Sequence, residues 1–391
     1  MKFSPRARWA VPAGVLAAVG AVMAGALIST AQASPALPAR TPAQLLAAVA
    51  GRTGPLPALT GTVVESARLG LPDLPGTDNP GSVASLLTGS HTVRIWYADP
   101  RHFRLAEPEM MSESDLIVNG RTAWYWQSTT NSVTRFPLPA GDRPAGHGPA
   151  PAMAITPQQA ARQALAAVGP STRVTVQKNV TVAGEAAYQL VLAPRSDSSL
   201  IGQVRIAIDA THNVPLRVQV FARGAHSPAF SVGYTSISFV RPAASNFDFS
   251  PPPGAKVKTA TLGPDGWSGQ APLNRKAPAA QPRIMGRDWL TVAVLPASAL
   301  SQMSGGSGSA AGVAGSAARS AAGSPGGSSG GIQGSALFGA AMRSGTEVRG
   351  AWGSGRLLHT SLLSILITNN GRVLVGAVTP SVLYADAARA S

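Results

Sequence analysis

From Val93 to Pro139 apolar and polar residues alternate with a period near two, through VRIWYADPRHFRLAEP and then SDLIVNGRTAWYWQSTTNSVTRFPLP. That period suits pleated strands, where successive side chains point to opposite faces, and does not suit a helix. Asn119-Gly120 stands between two such runs, in the manner of a two-residue hairpin turn. The stretch therefore predicts antiparallel strands in succession: one ending in Tyr97, a break at Pro100, a Phe-Arg-Leu strand at 103–105, a Leu-Ile-Val strand and a Trp-Tyr-Trp strand. On the last of these, Trp124 and Trp126 share one face and Tyr125 takes the other.

A chain of 391 residues, 45% of them apolar, is long enough for about two domains with a sizeable core. Thr41-Pro42 opens one helix and Thr156-Pro157 another, the second stopped by Gly169, because a threonine cap followed by proline suits a helix start. At the N-terminus Lys2, Arg6 and Arg8 precede an apolar stretch from Trp9 to Ile28, and Ala31-Gln32-Ala33 then offers a small-x-small cleavage site. Residues 1–33 are expected to be a signal peptide cut after Ala33 or a retained membrane anchor, since a stretch of about 20 apolar residues also spans a bilayer. Either way the rest of the chain would lie outside the cytoplasm.

The tract 301–334 is almost entirely Gly, Ser and Ala, which bury too little apolar surface to offset ordering entropy, so a flexible coil is predicted. A strand at 288–296 precedes it. A short helix at 335–343, two strands turned at Asn370-Gly371 and a closing helix PSVLYADAAR follow it. Neither side makes a stable unit alone, so the coil interrupts a second domain instead of separating two.

Several chemistries find no support. The chain has no Cys, which excludes a disulfide framework, a thiol nucleophile, a Cys-ligated zinc and a lipid-modified cysteine. Its six His residues are far apart, with no His-Glu-x-x-His, and no metal is expected. The Gly-x-Ser-x-Gly match at 326–330 falls in the coil, without the strand and helix that a nucleophile elbow needs. No Gly-rich phosphate loop follows a strand, so neither a cofactor nor a catalytic residue is assigned. The formal net charge of +15 does not imply nucleic acid, because the arginines are dispersed and no binding motif accompanies them. Outside a membrane such a surface meets anionic lipid head groups, or it is a solvated surface without a partner.

Pro100, Phe103-Arg104, Asn119-Gly120 and Trp124-Tyr125-Trp126 follow one another in an order that resembles the LolA superfamily of periplasmic lipid and lipoprotein carriers. The segments 186–197, 203–222, 230–239 and 246–257 are similar to that family's later strands and its exit. From 257 onward the chain resembles the smaller domain of the MucB/RseB proteins, on DWLTVAVLP at 288–296 and the closing GRVLVGAVTP. The resemblance implies a mainly β (α+β) fold, with a half-open antiparallel barrel and helical lid at 34–256 and a small α+β domain at 257–391. It also implies an acyl-chain cavity on the concave face, lined by Trp96, Phe103, Leu105, Trp124 and Trp126, with Met110 and Met111 as adaptable lid or loop residues. Read from the residues alone, the same rings would fill a closed core, and the two methionines would be loop-anchoring packing. The implied function is non-catalytic binding of a lipid or acylated lipoprotein, as a carrier or as an envelope sensor that restrains a membrane-bound anti-sigma factor.

Overall fold

The computed structural model describes residues 34–50, 56–70, 88–138, 155–166, 168–260, 283–296 and 345–390. The expected export segment, the Gly/Ser/Ala coil with its Gly-x-Ser-x-Gly match, and the helix at 335–343 lie outside the described residues.

Alternation becomes strand as read. β1 (Leu59–Arg68) precedes the run from Val93 to Pro139, which gives β2 (Thr88–Asp99), β3 (His102–Pro108), β4 (Glu113–Asn119), β5 (Thr122–Gln127) and β6 (Ser132–Pro137). Further along the chain lie β7 (Thr172–Val182), β8 (Glu185–Pro194), β9 (Ile201–Asp209), β10 (Pro215–Ala222), β11 (Phe230–Ser238) and the short β12 (Lys256–Thr259). Asn119 pairs with Thr122 around a two-residue turn, where Gly120 adopts a φ of 60° that costs a glycine little.

These twelve strands form one sheet in the order β12-β6-β5-β4-β3-β2-β1-β11-β10-β9-β8-β7. Its neighbours are antiparallel except β12, which lies parallel on β6. The described strands make an open sheet and not a closed barrel, although the sheet curls enough to bring β7 towards β11.

Two helices, Pro42–Ala50 and Pro157–Ala166, pack on one face. Each begins with a reciprocal capping box: Gln44 N–H donates to Thr41 Oγ1 and Thr41 N–H to Gln44 Oε1, and Thr156 and Gln159 repeat the exchange. Between the helices and the sheet, Leu45 and Ala161 from the helices and Leu190, Leu192, Ile206, Ile208 and Leu216 from the strands are fully buried. Burying a Leu or Ile side chain contributes about 2 kcal/mol, and this cluster anchors the helices to the sheet.

The second sheet has the order β13-β14-β18-β17-β16-β15, from β13 (Arg283–Met285), β14 (Val292–Pro296), β15 (Thr346–Gly350), β16 (Gly353–His359), β17 (Ser364–Thr368) and β18 (Arg372–Gly376). Strands from before and after residues 297–344 thus share one sheet. The helix Pro380–Arg389 covers it, packing its own Leu383 with Val292, Leu366 and Leu374 of the sheet. The segment read as a strand from 288 starts as a 3-10 turn, Asp288–Leu290, with strand only from Val292.

The sheets are joined through specific contacts. Trp289, from the second unit, is buried in the core of the first and donates its indole N–H to Thr172 Oγ1 at 2.7 Å. Ser199 bridges Val378, with Leu200 N–H donating to Ala377 O and Thr379 N–H to Ser198 O.

Candidate functional site

Residues directly opposite on neighbouring strands share a face, so the register assigns every side chain of β1 to β6. One row runs Ser238, Thr60, Trp96, Arg104, Ile117, Trp124, Arg135, and the next runs Ser236, Thr62, Arg94, Ala106, Asp115, Trp126, Val133. The other face carries Gly61, Ile95, Leu105, Leu116 and Tyr125 in one row, and Leu59, Tyr97, Phe103, Val118, Ala123 and Phe136 in the next. This second set continues into the core beneath the helices, and it forms the inner face.

The five residues expected to line one cavity are therefore divided. Phe103 and Leu105 lie on the inner face, whereas Trp96, Trp124 and Trp126 lie on the outer face, because the two sets differ in parity along their strands. Trp124 and Trp126 do share a face opposite Tyr125, as alternation requires. Met110 and Met111, at the tip of the β3–β4 hairpin, are 98% and 93% exposed. They neither enter a cavity nor anchor a loop by packing, since the tight turn closed by Glu109 N–H on Ser112 O points them into solvent.

On the inner face, two apolar clusters meet. One lies beneath the helices, and the other comprises Leu116, Val118, Ala123, Phe136 and Leu138. Leu105 packs against both, and Tyr97, Phe103 and Tyr125 flank the junction, all partly buried. Charged groups sit unexpectedly among them. Glu65, buried on β1, stands opposite His91 on β2, and His91 Nδ1 is 3.7 Å from Glu107 Oε1. Burial raises the Glu65 carboxyl above its usual range, against the pull of the Ile155 N–H that donates to Oε2 at 2.7 Å. Glu65 thereby ties the sheet to the start of the second helix, where Gln158 also donates to Tyr234 Oη. Neither sequence pattern nor motif singled out Glu65, His91 or Glu107; the available signal was charge at positions whose parity matches the core.

On the outer face, Arg104 stacks on the Trp96 ring at 5.3 Å and pairs with Asp115, with Glu113 at 3.9 Å. Burial pushes the Asp115 carboxyl up to about 6, outweighing the attraction of Arg104. Phe249 covers Trp124 at 5.6 Å, and Asp248 accepts from Asn119, so the chain after β11 crosses this face. Beside Trp96, a groove of 280 Å³ is lined by Thr60, Thr62, Arg94, Ser236 and Ser238. Among the described residues no three His, Asp or Glu side chains are grouped so that they could hold a metal ion. No helix among them is long and apolar enough to cross a membrane.

No family model matches the chain, and no curated protein does. Solved structures do. The structure is similar to MucB and to LolA superfamily proteins. The MucA/MucB complex of Pseudomonas aeruginosa matches at 14% identity, over 88% of this chain and 94% of that one, with a TM-score of 0.38. A LolA superfamily protein from Nitrosomonas europaea matches at 12% identity over 54% of this chain and 99% of its own, with a TM-score of 0.22. An uncharacterised conserved protein from Thermus thermophilus matches at 12% identity over 56% and 98%, with a TM-score of 0.29.

Proposed function

We propose that this chain is an exported, non-catalytic binding protein that holds a lipid or a lipoprotein acyl chain against the inner face of its large sheet. The observation that carries this reading is the junction at Tyr97, Phe103, Leu105 and Tyr125, where apolar side chains remain partly exposed between two buried clusters. Partly exposed apolar side chains lining a curved sheet suit an alkyl chain, which needs contact area and no polar partner. The sequence resemblance to lipid carriers supports the same reading. Trp96, Trp124 and Trp126 are no part of this proposed site, since they face the other way.

Native mass spectrometry of the protein purified from its own envelope tests the proposal. Lipid adducts that disappear in a folded Phe103→Ala/Leu105→Ala variant are expected, and a reproducibly empty wild-type protein would count against it.

A second reading, an RseB-like regulator that restrains a membrane-bound anti-sigma factor, is favoured by the join between the units. A mostly apolar pocket of 280 Å³ lies there, lined by Ser171, Pro194, Ser196 and the 286–290 turn, and it would take a peptide side chain. Co-purification of a membrane protein that is lost when Pro194 is replaced by Arg would favour this reading over a carrier.

A further inference from the structure

The outer face carries a charge pattern for which acyl-chain binding has no use. Across β1 to β6 its carboxylates are Glu113 and Asp115, which turn to Arg104, and Asp99 at the end of β2, which pairs with His102 and Arg241. Arg94 and Arg135 are exposed, and among the described residues neither lies within ion-pair distance of a carboxylate. The register extends the pattern: Arg217 stands opposite Gly233, Gly233 opposite Val64 and Val64 opposite Thr92, so Arg217 shares the face of Arg94 and Trp96. Its stem lies across Gly233, with Cγ 2.8 Å from where a Cβ would stand, and among the described residues no carboxylate lies within ion-pair distance of it. Burial alone pulls its guanidinium below the usual value. Arg205, on the next row, stacks on Phe221 at 4.3 Å with its Nε buried and unpartnered.

Uncompensated cations that cost desolvation energy make sense where an anion completes them. The groove beside Trp96 supplies a seat. The short hydroxyl side chains Thr60, Thr62, Ser236 and Ser238 line it together with Arg94 and Trp96. The Trp96 ring is held by Arg104, itself fixed by Asp115.

We propose that this outer face docks on an anionic bilayer surface, with a phospholipid phosphate seated between Arg94 and the four hydroxyls and the Trp96 indole at head-group depth. A guanidinium fork matches two phosphate oxygens, and hydroxyls donate to the others. Indole rings are favoured at the membrane–water interface, and arginines are drawn to an anionic leaflet. The net charge of +15 adds attraction at longer range. The face lies opposite the proposed acyl-chain site, so this inference does not rest on that reading.

Co-flotation of the full chain with phosphatidylcholine vesicles, with and without phosphatidylglycerol, tests it. The quantity of interest is how the difference between the two vesicle types changes from wild type to variant, because Lys2, Arg6 and Arg8 of the N-terminal segment add the same anionic preference to every protein compared. The anionic preference should fall about 25-fold in an Arg94→Ser/Arg135→Ser variant, at about fivefold for each arginine near the surface. It should survive in Arg94→Lys/Arg135→Lys. Circular dichroism establishes that the variants fold, and both residues are exposed. Equal binding to neutral and anionic vesicles would overturn the proposal. So would an equal loss in Arg283→Ser/Arg349→Ser on the smaller sheet, which would assign the preference to overall charge. Displacement from vesicles by inorganic phosphate, and not by chloride of the same ionic strength, would overturn it in favour of a free phosphate ligand. Binding of polyglutamate as tightly as anionic vesicles would overturn it in favour of an acidic polypeptide.

Discussion

The inner and outer faces of β1 to β6 are made by the same six strands, and both are rich in large apolar side chains. They differ in what stands between those side chains. On the inner face Leu105, Leu116 and Tyr125 are neighbours in one row, with Ile95 beside them. On the outer face Trp96 stands beside Arg104, Trp124 beside Arg135, and Trp126 beside Asp115. A large ring reports little about which side of a sheet is dry, because indole is content at a boundary. Its polar companions of the same parity report much more.

The contrast can be broken most forcefully beneath the helices. Ile206→Ala would leave a cavity in the packed inner core and should cost about 3 kcal/mol in urea unfolding, without changing the slope. A loss of only a few tenths would mean that this part of the inner face is loosely packed. At the junction, Phe103→Ala should cost about 2 kcal/mol and also abolish lipid adducts. Retention of full lipid occupancy would remove the inner face from the proposed site.

Trp124→Ala, on the outer face, loses its contact with Phe249 and should cost about 1.5 kcal/mol while leaving lipid occupancy unchanged. Lost adducts in that variant would erase the functional distinction between the faces.

The smallest effect is a pH dependence. Asp115 ordinarily titrates near 3.8, and its burial pushes it up to about 6, so the folded chain retains a proton that the unfolded chain releases. Stability from this group is therefore greater below the window and falls as pH rises from about 4 to 6. Between pH 5 and 7 the change should be about 1 kcal/mol. Thermal melts of wild type and Asp115→Asn check it, and a wild-type profile that survives the substitution would place the titration elsewhere.

Much of the fold could be read from the chain. Period-two alternation located the strands, Asn119-Gly120 marked a hairpin, and Thr-Pro pairs marked two helix starts. Alternation separates residues into two sets, but it does not say which set is buried. Leu105 and Trp124 are both large and apolar, and they were assigned to one wall although their strands present them to opposite sides. Arg94 lies two residues before Trp96, and Arg104 stands opposite that same ring. The outward placement was written there. The Glu65–His91–Glu107 group was harder to find, since only pairing across three strands brings charges so distant in sequence together.

The parallel strand β12 has a consequence for solution behaviour. A sheet of this size would otherwise end in β6, whose free backbone groups could recruit a strand from another molecule. β12 occupies that edge with Lys256, Val257, Lys258 and Thr259, all exposed. Two like charges on a four-residue margin disfavour alignment with a second copy, which would bring lysine against lysine. The chain thus ends its largest sheet in a margin that resists edge-to-edge polymerisation.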